Sequence, residues 1–187
     1  NSGVVPLAIN LARSFKRVGL SSPLLVALDN AAHKALEAED LPSYRIAETL
    51  TDHASADFGS PSFNRITSLK FGPVLRVLDM GRPVLLTDVD IALIKDPFPY
   101  FEHESDIQIQ YGQSAVHNPD YPMTGGEPRG PSGSAHAYMC TGFVYVRPTD
   151  ASRRMVADTL DRLANPPRTR YNDQDAFNDA YQHAGKD

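Results

Sequence analysis

The chain has 187 residues, 41% of them hydrophobic, with 23 acids against 18 bases (formal charge −5), one cysteine and no tryptophan. That length buries roughly 70% of the surface of the unfolded chain and fits one domain, residues 1–187. No apolar run reaches the ~18–20 residues of a membrane span, and the acidic balance without clustered Lys and Arg excludes a nucleic-acid partner. Cys140 has no second cysteine to pair with, so cysteine usage says nothing of redox compartment. Residue 1 is Asn and no leader follows it, so the expectation is a chain that begins inside a longer product or after processing.

Val4, Leu7, Ala8, Leu11, Phe15 and Val18 recur at three- and four-residue steps, predicting an amphipathic helix stopped at Gly19. Leu24 to Leu28, closed by Asp29, reads as a strand buried on both faces. A helix is predicted over Asn30 to Glu39 and a short strand over Tyr44 to Ala47. Ser62 to Met80 carries Phe63, Ile66, Leu69, Val77 and Leu78 at helical spacing, with Pro73 set to kink or restart the helix and Gly81 to cap it. Pro83 to Asp90 is the clearest buried strand, Asp106 to Gln110 alternates as a half-covered strand does, and Tyr138 to Val146 reads as another strand. Helices over Ala151 to Ala164 and Asp173 to Ala184 close the chain, the second with Ala176, Phe177, Ala180 and Tyr181 as its core stripe. Between Gly112 and Ala137 lie five Gly and four Pro in 26 residues, a long loop that is either functional or disordered. Strands alternating with helices predict an α/β sandwich with a mostly parallel central sheet.

Asp88-Val89-Asp90 ends the apolar strand. Side chains two apart on an extended chain point the same way, and ligands of open parallel sheets bind beyond the carboxyl ends of the strands. Two carboxylates there suit Mg²⁺ or Mn²⁺, hard cations commonly shared with substrate phosphates. With 17 Asp in the chain such a pattern arises by chance about once or twice, and Asp173-Gln174-Asp175 is a second copy. The bland alternative for the first pair is a solvated turn; for the second it is a helix start, with Asn172 as N-cap and Asp175 completing a capping box.

The string from Val84 through Asp88-Val89-Asp90 and Asp96-Pro97-Phe98 to Phe101 resembles the signature of nucleotide-diphospho-sugar glycosyltransferases of the GT-A fold, most of all glycosyltransferase family 77 of plants and algae. Asn1 to Ser14 is similar to that family's first helix and Leu25 to Asp29 to its second strand; Cys140 to Val146 resembles its Asn-x-Gly strand, and Asn172 to Asn178 its Asp-Gln motif. The resemblance implies a GT-A-like Rossmann-type sandwich whose first strand lies before Asn1. It implies a metal-dependent transferase moving a sugar from a UDP-sugar to a glycan or glycoprotein acceptor with retention, in the Golgi lumen or secretory pathway. Asp88 and Asp90 would be the Mn²⁺ (or Mg²⁺) acids, Asp88 also reaching the donor. Lys70, 18 residues before Asp88, would contact the donor, as would Thr141 and Gly142; Asp173 and Gln174 would be catalytic. Independently, at 100° per residue Lys70 lies about 40° from Ile66, beside the apolar stripe and not opposite it.

Cys140 stands where relatives of that family have Asn, and His183, ten residues after Asp173 on the same predicted helix, reads as a surface residue and not as a third metal ligand. His33, His53, His103, His117 and His136 show no paired metal spacing. Two alternatives stay open: a catalytically incomplete GT-A-like domain serving as a structural or sugar-binding subunit of a complex, and a phosphatase of the haloacid dehalogenase type, whose motif Asp88 to Leu93 approaches with Ala92 in place of Thr or Val.

Overall fold

The computed structural model describes residues 1–46, 60–112, 138–168 and 171–184. The elements run α1 (Val5–Arg17), β1 (Leu25–Ala27), α2 (Asn30–Ala38), β2 (Ser43–Arg45), α3 (Pro61–Ser68), α4 (Phe71–Asp79), β3 (Val84–Thr87), β4 (Ile107–Gly112), β5 (Tyr138–Val146), α5 (Asp150–Ala164) and α6 (Asp173–Ala184). The predicted loop lies outside the described residues from position 113 onward, and Gly112 is the last residue of β4. Ala47, the predicted end of the second strand, also lies outside them.

The α/β class holds, and the pairing is more mixed than alternation implied. β1 and β2 pair in parallel, while β5 pairs antiparallel with both β3 and β4 in the order β3-β5-β4. This corrects the expectation of a mostly parallel sheet: β3 and β4 run in the same direction, but β5 is inserted between them and runs against both, so neither has a parallel neighbour among the described strands. β3 is likewise half-buried along its whole length, not buried on both faces, because among the described strands it pairs with β5 alone.

One face of the three-stranded sheet carries the main core. Phe71, Val74 and Leu78 of α4, Met155 and Val156 of α5, and Phe177 and Ala180 of α6 close over Val144 and Val146, with Val84, Leu86, Ile107 and Ile109 at the margin. Phe71 and Phe177 are fully buried and stack with ring centroids 5.5 Å apart, each burial contributing about 1.5–3 kcal/mol. The other face presents Phe143 and Tyr145, covered by Phe101, which stacks on Tyr145 at 4.3 Å. Phe143 also borders a smaller cluster of Leu11, Phe15 and Leu93 that brings in α1. Helix, sheet, helix is thus the layer order around β5.

Two stripe assignments change. Leu7 is 43% exposed on α1, where Ser14 faces inward instead. Tyr181, expected in the core stripe of the last helix, is 52% exposed, whereas Ala176, Phe177 and Ala180 are buried as expected.

Candidate active site

Three separate stretches of chain bring charge to one point, and a fourth adds a hydroxyl. The helix predicted over 62–80 is two helices, α3 and α4, and Lys70 sits in the break as the residue before α4. Lys70 therefore owes its position to that break and not to a helical stripe. Its Nζ lies 2.8 Å from Asp88 Oδ1 and 2.8 Å from Asp173 Oδ2, with side-chain exposures of 16%, 40% and 5% for Lys70, Asp88 and Asp173. Burial by itself would lower the Lys70 pKa; the two carboxylates, Asp173 first, outweigh it and hold the ammonium above its ordinary value. Asp173 is the first residue of α6, where the helix dipole favours a negative charge. Its Oδ2 also accepts the Thr141 hydroxyl proton at 2.7 Å.

A bulge in β5 makes this meeting possible. One step along β4, from Ile109 to Gln110, spans Val144 to Cys140 on β5, so Thr141, Gly142 and Phe143 have no β4 partner. Freed from that ladder, the Thr141 amide donates to Gln174 Oε1 at 3.3 Å. On the other edge the strand stays paired: Thr87 faces Phe143, and Asp88 N donates to Gly142 O at 2.8 Å. Bulges recur beside active sites because they re-aim side chains. The Asp88 carboxylate lies over Gly142, and a Cβ added there would stand 2.9 Å from Asp88 Oδ2 and 3.5 Å from Cys140 Sγ. Only glycine allows that approach.

Lys70, Asp88, Thr141, Gly142, Asp173 and Gln174 are therefore adjacent. Asp90 is placed differently. β3 ends at Thr87 and residues 89 and 90 form a turn, so the same-side argument for an extended chain does not apply. Val89 packs into two apolar clusters while Asp90 is exposed, with no ion pair or hydrogen bond to the cluster among the described residues. The segment after it is tied down by α1: Leu93 N donates to the buried Ser14 Oγ at 2.9 Å, and Arg17 donates to Leu93 O at 3.1 Å. No group of three or more His, Cys, Asp or Glu that could hold a metal occurs among the described residues. Asp88 Oδ2 and the exposed Asp90 carboxylate are the oxygens on offer to a hard cation, which would draw its remaining ligands from phosphate and water. His183 is exposed on α6.

The helix-start reading of the second acidic pair is also realised. Asp175 N donates to Asn172 Oδ1 at 3.0 Å and Asn172 N to Asp175 Oδ2 at 3.2 Å, a reciprocal capping box. Arg168 pairs with Asp175 Oδ1 at 2.8 Å. Two positioning contacts had weak signals in the sequence: Ser14, a polar residue within an apolar helix pattern, and Asn178, a polar residue beside Phe177 on a helix otherwise read as a core stripe.

The same elements are matched by a family model. Residues 18–187 fit the model described as nucleotide-diphospho-sugar transferase. The chain belongs to that family. Among curated proteins, this chain is 31% identical to arabinosyltransferase RRA2 of Arabidopsis thaliana over 96% of its own length and 42% of the relative's. It is 26% identical to UDP-D-xylose:L-fucose alpha-1,3-D-xylosyltransferase MGP4 of the same plant, over 93% of the chain and 49% of the relative. A beta-arabinofuranosyltransferase, RAY1, also of Arabidopsis, is 30% identical over 46% of the chain and 17% of the relative. The chain thus spans about half the length, or less, of these curated relatives. No solved structure matches it. No helix among the described residues is long and apolar enough to cross a membrane.

Proposed function

We propose that this chain carries the donor site of a glycosyltransferase that moves a pentose or hexose from a UDP-sugar to a glycan or glycoprotein acceptor, with retention and with Mn²⁺ or Mg²⁺, in the Golgi lumen or secretory pathway. The observation that carries the reading is the convergence of Lys70, Asp88, Asp173 and Thr141 on one ammonium–carboxylate cluster, in a family of nucleotide-sugar enzymes. One ammonium against Asp88 and Asp173 leaves a local excess of negative charge that favours a divalent cation. Bound there by Asp88 and Asp90, the ion would neutralise charge building on the departing diphosphate. In this reading Lys70 would stand between the diphosphate side and the sugar side, Asp173 would hold sugar hydroxyls, and Gln174 would lie on the reacting face. No separate nucleophilic carboxylate is required in a same-face displacement, where the leaving phosphate takes the acceptor proton.

Calorimetry of UDP binding tests this directly. Mn²⁺-dependent binding is expected, weakened at least tenfold by Asp90→Ala; an affinity unchanged by that substitution overturns the metal role of Asp90. A chain that binds neither UDP nor Mn²⁺ while remaining folded would instead be the incomplete, subunit-type relative.

A further inference from the structure

Asn178 is 4% exposed in the middle of α6, and its amide is spent wholly on backbone. Oδ1 accepts the Met139 N–H at 3.0 Å, and Nδ2 donates to the carbonyls of Met139 at 2.9 Å and Gln174 at 2.8 Å. The amide has only this orientation, because turned over it would set NH₂ against an N–H and oxygen against two carbonyls. A side chain that takes both backbone groups of one strand residue does there what a neighbouring strand does. The residue it takes is the one beside the bulge: the β4 ladder resumes at Cys140 and Met139, opposite Gln110 and Tyr111. On the far side the bulge is set by Phe143 opposite Thr87 and by the Asp88 to Gly142 bond. Thr141 lies between these two anchors, with its hydroxyl on Asp173 and its amide on Gln174.

We infer that Asn178 is a positioning residue that clamps Met139 to the helix bearing Asp173 and Gln174, and so fixes the β5 bulge at the offset where Thr141 meets those two side chains and Gly142 receives Asp88. Its consequence for turnover rests on the donor-site reading above; its geometric consequence does not. Without the clamp, a bulged strand is held on one side only and its register is free to drift.

The test compares Asn178→Ala with Val156→Ala, a fully buried α5 residue of the main core that makes none of these bonds, in the full protein. Amide hydrogen exchange and turnover of UDP-sugar donors are the two readouts. Asn178→Ala is expected to speed exchange at the Thr141 and Asp88 amides by about tenfold or more beyond what Val156→Ala does at equal loss of global stability, and to lower kcat in the same proportion. Exchange that rises only at Met139, or equally in both variants, overturns the inference whatever the turnover. Local exchange as expected, in a protein that neither binds UDP nor turns over a donor, supports the clamp and overturns the donor-site reading alone.

Discussion

The chain holds two Asp-x-Asp triplets, and the fold treats them in opposite ways after treating them alike. The first acid of each, Asp88 and Asp173, pairs with the same Lys70 ammonium at 2.8 Å. The third acids diverge: Asp175 is closed off by the Asn172 box and Arg168, while Asp90 stands exposed on a turn. The middle residues part company too, since Val89 packs into apolar clusters and Gln174 accepts from the Thr141 amide. A three-residue pattern therefore carries no function in itself. Among the described residues Asp90 keeps its oxygens unpartnered because a turn presents it to solvent; Asp175 does not, because a helix start consumes them.

The largest test of this contrast removes the shared cation. Lys70→Met leaves Asp88 and the nearly buried Asp173 facing each other, and should cost about 3 kcal/mol, the low end for a broken buried pair because Asp88 is 40% exposed; urea denaturation at neutral pH measures it. The same substitution has a pH consequence. Lys70 is raised above its ordinary 10.5 in the folded chain, so its contribution is fully present below that value and is lost as pH climbs through the folded pKa. Wild-type stability should thus fall more steeply than that of Lys70→Met above about pH 10.5, and identical slopes would remove the pair from the account.

Next in size is Gly142→Ala. The new Cβ, 2.9 Å from Asp88 Oδ2, should cost about 1–2 kcal/mol and displace the Asp88 carboxylate from Lys70. Because Asp88 can swing outward, metal-dependent UDP affinity should suffer more than the melting temperature. Asn172→Ala, which removes the cap of α6, is expected to cost about 1 kcal/mol, read by thermal unfolding. The smallest effect separates the third acids. Asp175→Asn should lower stability by up to about 1 kcal/mol through the capping box, whereas Asp90→Asn should stay within about 0.5 kcal/mol; a larger stability loss at Asp90 than at Asp175 would reverse the assignment of open and closed acids.

How much of this was legible beforehand divides by range of interaction. The strand Tyr138–Val146 and the helix Asp173–Ala184 have the expected bounds, because hydrophobic period and capping residues act within a few positions of chain. The stretch 62–80 restarts, as Pro73 allowed, and the break falls at Leu69–Lys70, which puts Pro73 in the first turn of α4. The site residues were recognisable as a set through resemblance in motif order, and the buried position of Lys70 was expected from a stripe that the break removes.

By itself, then, the sequence determined the elements, their α/β order, the family and the residue types available for a donor site. Tertiary structure alone decided that β5 runs antiparallel between β3 and β4, that Thr141 to Phe143 bulge away from β4, that Asn178 clamps Met139, and that Asp88 and Asp173 share one ammonium while Asp90 stays open. The reason is distance along the chain. Lys70, Asp88, Thr141 and Asp173 come from four segments, and no local periodicity encodes the offset at which packed elements set such groups together.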